Sequence, residues 1–203
     1  GLVGTQPSVR RATTATESGT GTNTVSLLSG ASVSDVDATN FAGGTITVTF
    51  TDGFQAGDVL AVNSGLTGVA SVSGGTANTL TVNLNSSATA ANLGAILNSL
   101  TYRNSGNDPT AGGTDGNRAF SIVVNDGGNS PSPGAASTAL TGTITVVGQN
   151  DAPVLTATVA SPTATESGTG TNTVSLLSGS AVTDADATNF AGGSITVTFT
   201  DGF

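Results

Sequence analysis

Residues 45–51 read TITVTFT. In an extended chain Ile46, Val48 and Phe50 fall on one side and Thr45, Thr47, Thr49 and Thr51 on the other. That period of two marks a half-buried strand. Similar short runs recur with turn residues between them. They are residues 23–28 (NTVSLL), 58–63 (DVLAVN), 68–73 (GVASVS), 79–84 (TLTVNL), 100–104 (LTYRN), 120–125 (FSIVVN) and 139–147 (ALTGTITVV). Only one segment carries a helical period. In residues 89–99, Leu93, Ile96, Leu97 and then Leu100 share one helix face, with Thr89 placed as the N-cap. A polar, glycine-rich loop is expected over residues 105–117. Short strands, frequent turn signals and a single short helix predict an all-β fold, a β-sandwich.

The strand at 45–51 lies in a stretch that occurs twice. Residues 14–54 return as residues 163–203, offset by 149 positions, with 36 of 41 identical. The differences are Ala31/Ser180, Ser32/Ala181, Ser34/Thr183, Val36/Ala185 and Thr45/Ser194. A period this long is the size of a domain and predicts tandem repeats, each with one short helix. The expected organisation is a divergent linker or remnant at residues 1–11, a complete repeat at 12–148, a linker at 149–160, and the truncated start of a second repeat at 161–203. Gly1 opens without a methionine, so the chain reads as an excerpt of a longer one. Asn150, Asp151, Ala152 and Pro153 form the joint, which Pro153 stiffens.

Charge narrows the function classes. Thirteen acidic residues face four arginines and no lysine, for a net charge of −9. Such a surface repels nucleic acid and anionic lipid, and it suits a divalent cation. Cys, His, Met and Trp are absent. That excludes thiol nucleophiles and His general bases, and it removes the side chains most easily oxidised, as befits an extracellular protein. No apolar run is long enough to span a membrane.

The acids fall in patterns. Glu17 and Glu166 open the two copies, Asp35 and Asp37 recur as Asp184 and Asp186, Asp126 precedes a Gly-Gly pair, and Asn150-Asp151 lies on the joint. Calcium (Ca2+) takes six to eight oxygen ligands, and Asp-x-Asp turns with an Asn-Asp joint supply that chemistry. Solvated turn acids are the plain alternative, because Asp is common in turns. The threonine row at 45–51 could order water at an ice surface, but no second matched row accompanies it, and threonine simply suits strands. Paired carboxylates could cleave glycosides. Here they sit in repeated turns beside almost no aromatic residues, so no enzyme is expected.

Taken in order, the phrases TESGT, SVSDVDA, LNSLTYRN, VVNDGG and ITVVGQNDAPVL resemble the bacterial cadherin-like tandem repeats of large secreted surface adhesins. The resemblance covers nearly all of residues 13–155 and restarts at Ser161. It implies a cadherin/immunoglobulin-like sandwich with calcium at each junction. By position, Asp35, Asp37 and Asp126 would hold metal at one pole. Glu17, Asn150, Asp151, Asp184 and Asp186 would do so at the junction, and Glu166 would open the next site. Gly148 and Ala152 replace an Asp and an Asn of the cadherin linker, and the mid-domain acidic motif is matched only loosely by Asp108 and Asp115, so fewer ions are expected. The implied role is a calcium-stiffened structural spacer, extracellular, at the cell surface or secreted. Its partners would be neighbouring repeats of the same chain or like subunits. The rival reading is a ligand-binding module that takes a surface glycan or protein on loops such as 105–117.

Overall fold

The computed structural model describes residues 13–36, 38–128, 135–137 and 139–202. The linker expected at 1–11 and the acid Asp37 lie outside the described residues. The chain is mostly β. Its elements are β1 (Thr13–Thr16), β2 (Val25–Ser26), β3 (Thr45–Asp52), β4 (Asp58–Val62), β5 (Ala70–Gly74), β6 (Thr79–Leu84), α1 (Ala90–Asn98), β7 (Leu100–Asn104), β8 (Asn117–Asn125), β9 (Leu140–Val147), β10 (Val154–Val159) and β11 (Leu177–Thr183). It divides into two compact units between Gln149 and Asn150.

The first unit holds a six-stranded sheet in the order β1-β9-β8-β3-β6-β5 and a three-stranded sheet in the order β2-β7-β4. Neighbours are antiparallel except β1, which runs parallel to β9. Strand β3 forms as its alternation predicts. Ile46, Val48 and Phe50 are buried, while its threonines are half-buried or exposed. Leu60 and Tyr102 of the smaller sheet, Leu93, Ile96 and Leu97 of α1, and the inward residues of β3, β6, β8 and β9 share one hydrophobic cluster. Each fully buried side chain of this size is worth about 1.5–3 kcal/mol.

Helix α1 starts at a capping box. Thr89 Oγ1 accepts the Asn92 N–H at 3.4 Å, and Asn92 Oδ1 accepts the Thr89 N–H at 2.9 Å. Asn stands where Glu or Gln is usual. Thr89→Ala is expected to lower stability by about 1 kcal/mol. A thermal melt checks this, and an unchanged midpoint would mean that burial of Leu93, Ile96 and Leu97 alone holds the helix.

Some expectations shift. The run at 23–28 pairs only at Val25 and Ser26. Leu27 and Leu28 both turn inward, which an alternating strand cannot do. Strand β1 carries one apolar residue, Ala15, in TTAT, so no hydrophobic pattern announces it. Gly53 ends β3 at φ +72°, and a Cβ there would lie 2.0 Å from the Asn117 carbonyl oxygen.

The second unit departs further from expectation. Residues 154–159, expected as linker, form β10 and pair antiparallel with β11. The segment matching β11 in the first unit, residues 28–34, forms no strand. Conversely, residues 194–201, which repeat β3 with one Thr-to-Ser change, form no strand. Ile195, Val197 and Phe199 are 88%, 70% and 71% exposed, so they do not line a core as Ile46, Val48 and Phe50 do. The cause is non-local. In the first unit β6 and β8 flank β3, and no counterpart of either exists among residues 150–203.

Candidate functional site

The first candidate acids sit at the two ends of the larger sheet. Glu17 follows β1, and its N–H donates to the Val147 carbonyl at 2.8 Å. Its buried Oε2 accepts the Gln149 N–H at 2.7 Å, where the first unit ends. Asp126 follows β8 at the opposite end. It is buried, and its Oδ1 accepts N–H groups from Gly128 (3.0 Å) and Ala135 (2.8 Å). The nine residues of β8 at about 3.3 Å each separate these ends. Asp35 is half-buried and its Oδ1 accepts the Ala38 N–H at 3.0 Å.

Gly148 is the position where the resemblance leads to the expectation of a missing Asp. A Cβ on Gly148 would lie 2.7 Å from Thr110 Oγ1 and 3.6 Å from Glu17 Oε2. A side chain at this position would have to displace the Thr110 hydroxyl.

In the second unit three candidates meet. The Asp151 N–H donates to Asp186 Oδ2 at 2.5 Å. Asp184 Oδ1 accepts the N–H groups of Asp186 and Ala187, both at 2.9 Å. All three acids are half-buried. The neighbouring Asn150 is exposed, and its Nδ2 donates to the Asp151 carbonyl at 2.8 Å. Glu166 is exposed and makes a local bridge to Thr171 that mirrors the bridge from Glu17 to Thr22. The donors are hard oxygens of the kind that calcium takes. Among the described residues, however, no three acidic side chains converge into a metal-binding group. Donor chemistry fits, therefore, and the link from Asp151 to Asp184 and Asp186 is made by hydrogen bonds.

The most elaborate polar arrangement was not among the sequence candidates. Arg118 on β8 is fully buried, and its Nε donates to Asp58 Oδ2 at 2.6 Å. Its Nη2 donates to the Pro109 carbonyl at 2.6 Å and its Nη1 to the Asp115 carbonyl at 3.1 Å. Asp58 Oδ1 accepts the Tyr102 hydroxyl at 2.7 Å and Asn104 Nδ2 at 2.8 Å. Asp58 Oδ2 also accepts the Gln55 N–H at 2.7 Å. The cluster ties β4 and β7 of the smaller sheet to β8 of the larger one, and holds down the loop at 105–116. One signal was available: Arg118 begins the inward row Arg118, Phe120, Ile122, Val124, where a charge is out of place unless it is paired.

Burial, and then the bond to Asp58, push the Tyr102 hydroxyl pKa far above its ordinary value. The folded state therefore favours the neutral phenol. That contribution is intact below about pH 10, the unfolded value, and fades as the pH rises above it. Tyr102 is the only tyrosine and tryptophan is absent, so tyrosinate absorbance reports on it alone. That absorbance is expected to appear together with unfolding, above pH ~10. Titration of the native protein at the ordinary tyrosine value would contradict the buried bond.

Among the described residues no helix is long and apolar enough to cross a membrane. Comparison with protein-family models, with curated proteins and with solved structures returned no match.

Proposed function

We propose that the chain is a structural spacer from a calcium-stiffened extracellular adhesin or surface filament. On this reading each repeat is a cadherin/immunoglobulin-like sandwich, and its partners are neighbouring repeats or like subunits. The observation that carries the reading is the 41-residue stretch repeated at a domain-sized offset with 36 identities. A spacer gains from near-identical copies, whereas a catalytic or ligand-binding module rarely needs its site duplicated. The two sheets that share one core, the acid-rich composition and the lack of Cys and Met support it. No enzymatic role is proposed, since the buried cluster around Arg118 directs its polar groups at one another.

The joint would work through the acids on it. Asp151, Asp184 and Asp186 lie within one hydrogen-bonded turn system of the second unit, and like charges placed so close repel one another. Bound calcium would supply the opposing charge, with Asn150 and the backbone carbonyls as further oxygen ligands. Calorimetry on the 203-residue chain is expected to show calcium binding that Asp184→Ala together with Asp186→Ala removes. Undiminished binding in that variant would move the metal away from these residues. Absence of binding in the parent chain would remove the stiffening mechanism.

A further inference from the structure

The six-stranded sheet turns Ile46, Val48, Phe50 and the inward rows of its other strands to the core, so its second face looks outward. Strand register brings together there threonines that lie far apart in the sequence. Thr47 stands opposite Thr81, and Thr81 opposite Ser73. Thr141, Ser121, Thr49 and Thr79 lie side by side on β9, β8, β3 and β6. The Thr49 and Thr79 hydroxyls are 3.3 Å apart. At the β1 edge, Thr14 stands beside Thr145. The row at 45–51, which has no matching row close to it in the sequence, is matched by its neighbours in the sheet. Charge is nearly missing from this face. Among the described residues its positions are Thr, Ser, Asn, Ala or Val, except Asp52, which stands at the rim beyond the register shift after Phe50. Glu17, Asp58 and Asp126 are buried, and Asp108 and Asp115 lie in the loop at 105–116.

We infer that this threonine face is an interface between two copies of the chain, laid sheet against sheet. Charge, twist and area together select a second copy as the occupant. A chain of net charge −9 repels its own kind and approaches itself most easily where the acids are absent. Neighbouring strands are rotated by about −20° to −25°, which carries the threonines of six strands out of one plane. A rigid flat lattice such as ice cannot follow that twist, whereas a second sheet has the same twist and packs against it face to face. Six strands about 4.8 Å apart, with about five residues each at about 3.3 Å, present roughly 500 Å². Two such faces bury about 1,000 Å², the lower bound of specific interfaces and the size of weak, transient ones.

Threonine suits a contact of this kind. Its χ1 is already restricted, so little side-chain freedom is lost on binding. Its methyl group packs, and its hydroxyl keeps a partner across the interface or through a bridging water. The face belongs to the first unit alone and does not depend on calcium at the joint. In a filament of such repeats, as proposed above, these weak contacts add along the length and hold filaments side by side.

The test is sedimentation equilibrium on the 203-residue chain at up to about 1 mM, in EDTA so that no metal ion bridges the acids. Raising sodium chloride from about 0.01 M to about 1 M shortens the screening length from about 30 Å to about 3 Å. The expected result is a monomer–dimer equilibrium that tightens about tenfold or more over that range, because screening removes the like-charge repulsion. Thr143→Glu, at an exposed position of the face, and Thr47→Glu, near its centre, should each weaken the dimer about tenfold or more. Ser87→Glu adds the same charge off the sheet, before α1, and should change the dimer little. Thermal melts run alongside. If Thr47→Glu fails to fold, the exposed Thr143→Glu still decides. A parent chain that stays monomeric in about 1 M salt overturns the inference, as does a dimer that weakens as salt rises. Equal responses to Thr143→Glu and Ser87→Glu overturn it too.

Discussion

Arg118→Ala is expected to cost the first unit about 3–5 kcal/mol, the usual price of leaving a buried charge unpaired. Asp58 would keep its carboxylate in the interior with Tyr102 and Asn104 still directed at it, but without its cation. The Pro109 and Asp115 carbonyls would lose their donor at the same time. Domains of this size have about 5–15 kcal/mol in total, so the loss is a large fraction of the whole. Arg118→Lys should recover little, because an ammonium cannot serve Asp58, Pro109 and Asp115 with one planar fork. The single variant Asp58→Ala should be similarly damaging. Combining it with Arg118→Ala should cost clearly less than the two singles summed, because no lone charge remains. Urea unfolding curves measure all of these. A loss below about 1 kcal/mol for Arg118→Ala would be that of a surface residue and would contradict the buried cluster.

The second large effect is expected at Phe50. Its ring is buried, with Tyr102 edge-on at 6.0 Å and Phe54 at 5.6 Å between centroids. Phe50→Ala should cost about 3–5 kcal/mol through lost burial and the cavity left behind. A variant that melts like the parent would mean that the threonine row, and not the Ile46, Val48 and Phe50 row, faces inward.

Much of the first unit was legible in its residues. The alternation of β3, the bounds of β6 and β7, and α1 with its Thr89 cap follow from period and capping alone. The candidate acids were legible as types but not as places. Asp126 and Asp35 spend a carboxylate oxygen on turn N–H groups, as Asp commonly does. Glu17 is buried while its repeat, Glu166, is exposed, although the surrounding residues are the same. The Asp58 and Arg118 pair spans 60 residues, and no local pattern joins two positions so far apart.

The two copies separate what sequence decides from what packing decides. Several short-range turns recur in both. Asn23 and Asn172 accept the N–H groups of Thr16 and Thr165. Asp35 and Asp184 accept those of Ala38 and Ala187, Asn40 and Asn189 those of Ala42 and Ala191, and Asp52 and Asp201 those of Gly53 and Gly202. A side chain that bonds a backbone group within a few residues needs nothing from elsewhere, so the local sequence by itself determines these turns. The strands do not recur. TITVTFTD is β3 where β6 and β8 flank it, and SITVTFTD is no strand where they are lacking. Residues 177–183 are a strand because β10 precedes them, while residues 28–34 are not. A strand leaves its backbone donors and acceptors to be met by other segments, and its apolar row is stabilised only by a surface that covers it. Only the tertiary structure supplies those partners, so only it decides which of two nearly identical sequences becomes sheet.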